Sequence, residues 1–241
     1  MKYDKSPLAV ETADLRNLAR LAMSRIDIQP LFWSFRYRGR KILGNLLSIP
    51  YWSGSLPIFA YTRLPKDIEV RGYLGYANIG SEKVFFADSA DDAKFLYGPV
   101  VEVESPPRLI AKALSGRGAL RSKPIPAKAR NLYSLLRVLL IMSDSTASPP
   151  IWHHEESSGR HILGVVAPFY EYYEASALPV FFYVELAEKP GPFIKYQAID
   201  GRETLEYAPN VSDMRHFYAR VITVKQIPFL KLGKRGKRGE A

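Results

Sequence analysis

"LFWSFRYRGRKILGNLLSIPYWSGSLPIFAYTRL", residues 31–64, decides the fold class. Phe35 and Tyr37 alternate with Arg36 and Arg38, and apolar runs follow, cut by Arg-Gly, Pro and Ser-Gly. Alternation with period two, interrupted by turn residues, reads as a succession of short strands. The texture continues through "IEVRGYLGYA" and "KVFFAD" to about residue 87, which gives four or five strands in a meander.

Upstream, Ser6-Pro7 has the character of a helix entry, and Leu15, Leu18, Ala22 and Ile26 recur at helical spacing. An amphipathic helix is expected over 7–26. Downstream, 88–98 suggests a short helix ending at Gly98, followed by a strand over 99–104. Segments 105–116 and 127–142 read as helices, the second ending in a buried apolar run. "SDSTASPP", 143–150, is the expected linker. Beyond it the strands return, with hairpin turns at Ser158-Gly159, Lys189-Pro190-Gly191 and Asp200-Gly201.

The expected fold is therefore α+β. Two strand-rich halves, meander and hairpin sheets packed as a sandwich or barrel, are separated by a helical segment and preceded by an N-terminal amphipathic helix. Residues 1–143 and 144–232 are the expected units, either separate or merged into one compact domain. The basic tail 233–241 is expected to be disordered. No internal repeat is read from the sequence.

The 241 residues are 47% hydrophobic and 24% charged, ample for a packed core. The chain has no cysteine, which excludes disulfides, thiol nucleophiles and Cys-ligated clusters. Only four histidines are present. No apolar run approaches the ~18 residues of a membrane helix. No signal peptide is recognisable at the N-terminus, so the expected location is the cytoplasm and no membrane partner is expected. Scarce Asn and Gln beside abundant Arg, Tyr and Pro resemble thermophile usage.

Net charge is +10, and it is laid out in blocks. Residues 28–66 carry six bases and no acid, and residues 105–143 carry eight bases and no acid. Between them, residues 67–104 carry eight acids against three bases. Bases along a surface displace counterions from phosphates. If 35–41 is one strand, Arg36, Arg38 and Arg40 form a row on one face, with Phe35 and Tyr37 turned to the core. Lys41, Arg117, Arg121, Lys123, Lys128 and Arg130 extend the candidate surface. The leading expectation is a nucleic-acid-binding accessory protein, DNA or RNA, working within a larger complex and using no cofactor.

Two other readings stand beside it. In "WHHEESSGRH", a two-residue turn at Ser158-Gly159 would put Glu156 opposite His161, with His154 on their face. Those three could act as a general-base site or hold a divalent metal, although the spacing fits no standard metal motif. The acids Asp88, Asp91, Asp92, Glu102 and Glu104 offer a weaker version of the same chemistry. The remaining reading is an interaction module whose charge blocks and aromatic strands dock protein partners.

Overall fold

The computed structural model describes residues 7–24, 29–51, 54–93, 96–115, 124–142, 150–170, 177–199, 202–212 and 217–227. In chain order these form β1 (Leu8–Glu11), α1 (Leu15–Ala22), β2 (Phe32–Tyr37), β3 (Arg40–Tyr51), β4 (Gly54–Arg63), β5 (Tyr73–Ala77), β6 (Lys83–Ala87), α2 (Ala90–Ala93), β7 (Leu96–Glu102) and α3 (Arg108–Leu114). Then follow β8 (Ile125–Lys128), α4 (Leu132–Met142), β9 (Ile151–Glu155), β10 (His161–Tyr170), β11 (Ala177–Leu186), β12 (Phe193–Ile199), β13 (Arg202–Ala208) and β14 (Phe217–Thr223).

The strands build two seven-stranded mixed sheets, ordered β1-β4-β3-β2-β7-β5-β6 and β13-β12-β14-β9-β10-β11-β8. This overturns the expected α+β class. Among the described residues the molecule is mostly strand, its helices are few and short, and only the seven-residue α3 stands between the halves. The expected helix over 127–142 is split: β8 pairs parallel with β11 in the second sheet, and only 132–142 is helical. The expected helix over 7–26 is likewise split. Residues 8–11 pair parallel with β4, and α1 begins after Asp14, whose carboxylate accepts the Asn17 N–H at 2.8 Å. In both cases a non-local strand pairing overrides a local helical pattern. The meander also stops early, because β5 and β12 pair with β7 and β14 rather than with the strands before them. The tail 233–241 lies outside the described residues.

Read from opposite ends, the two strand orders are the same. β1 through β7 correspond to β8 through β14 as β1/β8, β2/β9, β3/β10, β4/β11, β5/β12, β6/β13 and β7/β14. Direction agrees at each ladder: β1–β4 and β8–β11 are parallel, as are β2–β7 and β9–β14. Register agrees too. Gly44 faces Tyr61 as Gly164 faces Tyr183, and Trp33 faces Val101 as Trp152 faces Ile222. The chain is an internal duplication. Its sequence trace is confined to "GRKILG" (39–44) against "GRHILG" (159–164) and "LPIFAY" (56–61) against "LPVFFY" (178–183).

The shared glycine has a packing cause. A Cβ on Gly44 would lie 2.3 Å from the Phe59 ring, and one on Gly164 would lie 2.4 Å from the Phe181 ring. Each phenylalanine lies over the neighbouring strand, so only a hydrogen fits beneath it. Gly164→Ala should cost about 1–3 kcal/mol by forcing the Phe181 ring aside. Denaturant unfolding measures this, and an unchanged midpoint would contradict it.

The halves stack by translation rather than face to face. Helix α1 packs on the first sheet and, on its other side, against β14 of the second. One core therefore joins Leu18, Leu21, Leu43 and Ile58 of the first half to Trp152, Ile162, Phe181 and Ile222 of the second. Its counterpart α4 packs Leu135, Leu136 and Leu139 on the far face of the second sheet. At the opposite end, Ile110 of α3 covers Phe35, Ile42 and Phe59 on the outer face of the first sheet. The layers run α3, first sheet, α1, second sheet, α4. From Asn17 to Ala22, helix α1 is thus buried on every side, which is why its polar Asn17 and Arg20 need partners inside the protein.

Candidate functional site

Three clusters carry chemistry, and the fold explains where each sits. The first is the tip of the β2–β3 hairpin. Tyr37 pairs with Arg40, so Arg38-Gly39 is a two-residue turn with both φ values positive, 50° and 75°. Such a turn matches the twist of the strands and normally uses Asn-Gly or Gly-Gly. Arginine there is strained. The expected row of three arginines does not form, because the chain reverses inside it. Arg36 pairs with Lys41 on one face, Arg38 lies in the turn, and Arg40 pairs with Tyr37 on the other face. All three arginines are exposed, and no described carboxylate pairs with them. The Arg38 guanidinium lies 5.4 Å from the Tyr37 ring centroid. Phe35 is buried and Tyr37 half-buried.

Other members of the proposed basic surface are placed differently. Lys41 pairs with Glu102 at 3.0 Å and Lys128 with Glu185 at 3.0 Å, while Arg130 is exposed. Arg117, Arg121 and Lys123 lie outside the described residues. The equivalent tip of the second half is acidic and neutralised internally, with Arg160 bonded to Glu156 at 2.8 Å and to Glu185 at 3.3 Å.

The second cluster is imidazole. The β9–β10 loop has three residues, closed by Gly159 at φ 79°, with the Glu156 N–H donating to the Arg160 carbonyl. That one extra residue shifts the register: Glu155, not Glu156, faces His161. His154, Glu156 and His161 therefore do not converge. His154 turns to the Val224 carbonyl at 3.3 Å, and Glu156 to Arg160. His161 instead meets His153, Nδ1 to Nε2 at 3.1 Å, and His153 Nδ1 meets the Thr223 hydroxyl at 2.9 Å. His153 is fully buried. Burial, then the charges of His161, Lys189 and His154, lowers its pKa to about 4. Among the described residues, no three His, Asp or Glu side chains are grouped to hold a metal. Asp88 pairs with Arg71 at 3.0 Å, and Asp92 accepts from Ser89 at 2.6 Å.

The third cluster went unread in the sequence, and the duplication reveals it. Arg20 of α1 donates to both oxygens of Glu82, and the Tyr76 hydroxyl donates to the same carboxylate at 3.2 Å. At the equivalent positions, Arg137 of α4 donates to both oxygens of Glu203, which also accepts from Tyr196. One arginine–tyrosine–glutamate triad thus occurs twice. The first is buried between the halves, with the Arg20 and Glu82 side chains 9% and 8% exposed. Burial opposes the Arg20 charge, but Glu82 more than offsets it, and the pKa is raised. The second triad is at the surface. Hydrogen bonds from Arg137 and Tyr196 hold the Glu203 carboxyl down at about 2.

No helix among the described residues is long and apolar enough to cross a membrane. Comparison of the chain with family models, with curated proteins and with solved structures finds no match.

Proposed function

We propose that this protein binds nucleic acid through backbone phosphates, in the cytoplasm, with the β2–β3 hairpin tip as its principal contact. One observation carries the reading: Arg36, Arg38 and Arg40 stand exposed within five residues, without a carboxylate partner among the described residues, and Arg38 holds a left-handed backbone that glycine or asparagine would adopt more easily. The duplicated tip supports it by contrast, since there the single arginine is neutralised by Glu156 and Glu185. Arginines at a hairpin end can reach phosphates on either side of it, and Tyr37 lies beneath Arg38 as an aromatic edge. Partner proteins in a larger complex are part of the same proposal.

The test is fluorescence anisotropy with a short labelled oligonucleotide, single- and double-stranded, across a salt series. The protein is truncated after Leu232, so that the basic tail cannot imitate the effect. Three phosphate contacts contribute a log–log salt slope of about −2 to −3, or about 20- to 40-fold in affinity for fourfold salt. Arg36→Ala with Arg38→Ala and Arg40→Ala should remove that part of the slope for all sequences alike. An unchanged slope would place the binding elsewhere.

Strain predicts a second, opposite effect at the same residue. Arg38→Asn should raise stability by up to about 1 kcal/mol while weakening oligonucleotide binding. Equal or lower stability in a denaturant titration would show that the turn stores no strain.

A further inference from the structure

The contact between the two halves is a template for a second contact that the described chain leaves unmade. Inside the molecule, α1 lies against β14 and β12. The Arg20 guanidinium sits 5.7 Å from the centroid of the Phe193 ring and donates to the Val221 carbonyl at 3.2 Å. Asn17 accepts the Thr223 N–H at 2.7 Å. Phe193, Tyr218, Ile222 and Trp152 on this face are 0%, 9%, 0% and 1% exposed.

The duplicates of both surfaces are open. By register, Tyr73, Tyr97, Val101 and Trp33 on the first sheet correspond to Phe193, Tyr218, Ile222 and Trp152. Val101 is 45% exposed, and the other three are half-buried. Of the four, only Trp33 packs against the α3 cluster, whose core lies farther across the face, on Phe35, Ile42 and Phe59. The duplicate of α1 is α4, whose Arg137, at the position of Arg20, has a side chain 61% exposed and whose Ser134, at the position of Asn17, is half-buried.

We propose that the chain associates with itself head to tail, α4 of one copy lying across the β5–β7 part of the first sheet of the next. The arrangement repeats between copies the contact already made within each. Arg137 takes the place of Arg20, with its guanidinium toward the Tyr73 ring of the next copy. Val101 is covered as Ile222 is within the chain. Such a heterologous contact uses two different surfaces, so it leaves a free α4 at one end and a free sheet face at the other. The assembly grows as an open chain or closes as a ring.

Sedimentation velocity on nuclease-treated full-length protein tests this over a concentration series. Mass should increase with concentration beyond a dimer, or settle at a ring. Val101→Arg blocks the sheet face, and Ser134→Arg blocks the helix face by placing a long side chain where Asn17 makes the contact within the chain. Both side chains are partly or largely exposed, so thermal midpoints should stay near that of the unaltered protein. Each variant alone should be monomeric, with association weakened at least about tenfold. Mixed in equal amounts, the two should form a heterodimer, because each keeps the surface the other needs. A monomer at every concentration, association that disappears with the nuclease treatment, a dimer indifferent to Val101→Arg, or variants that fail to rescue each other would each overturn the proposal.

Discussion

Glu82→Ala should destabilise the protein by about 3–5 kcal/mol. Helix α1 is buried between two sheets, and its Arg20 side chain is 9% exposed. Without Glu82 the guanidinium keeps, among the described residues, only the Asn17 side-chain oxygen and the Val221 carbonyl as acceptors, each at 3.2 Å. It becomes a buried charge without a counter-charge, and Tyr76 loses its acceptor. Denaturant unfolding gives the magnitude, and hydrogen exchange should show α1 opening first. The duplicate supplies the control: Glu203→Ala removes the same contacts at the surface and should change stability little. Arg20→Met combined with Glu82→Leu should recover much of the loss, since an apolar pair leaves no charge unpaired. Similar small effects at Glu82 and Glu203 would refute a buried clamp between the halves.

Acid should destabilise the protein through His153. The folded imidazole takes its proton only near pH 4, whereas the unfolded one takes it near 6.5. Between those values the unfolded chain binds more protons, so stability falls as pH falls. The contribution is fully present above about pH 6.5 and amounts to about 3 kcal/mol lost by pH 4. Its causes are burial and the neighbouring His161, with which His153 shares a single hydrogen bond. His153→Gln stays neutral throughout and should flatten the stability profile between pH 4 and 6.5. A profile as steep as that of the unaltered protein would assign the acid sensitivity to other groups.

Two hairpins were legible in the sequence because their turn signals are local, whereas the hairpin expected at Lys189-Pro190-Gly191 does not form, since β11 and β12 are not neighbours in the sheet. Arg38-Gly39 between alternating runs marks a turn, and β12 and β13 flank the expected turn at Asp200-Gly201. The edge strands β1 and β8 were not. Each has four residues and exists through parallel pairing with a strand some fifty residues away in sequence, so nothing nearby announces it. Pro7 imitates a helix entry, while the true cap, Asp14, stands seven residues later. One residue decided the histidines: three loop residues instead of two moved His161 from Glu156 to Glu155 and beside His153. The duplication stayed hidden because recognisable identity is limited to two short segments. Between them, the same positions answer to different surroundings. Trp33 is half-exposed where Trp152 is buried, and Ser34 stands where the second half has His153. The triads were invisible for the same reason, since helix-to-strand spacings of 62 and 66 residues carry no local pattern.

Charge reversal at the hairpin tip, set against an equal reversal elsewhere, tests the central functional claim most directly. One variant carries Arg36→Glu, Arg38→Glu and Arg40→Glu. Its control carries Lys83→Glu, Lys189→Glu and Arg202→Glu, three exposed bases on β6, between β11 and β12, and on β13. Both change the net charge by the same amount, so any effect of the overall +10 is equal in the two. Oligonucleotide affinity at low salt should fall at least about tenfold further in the tip variant than in the control. Equal losses in the two would contradict the claim and reduce the binding to the protein's overall positive charge.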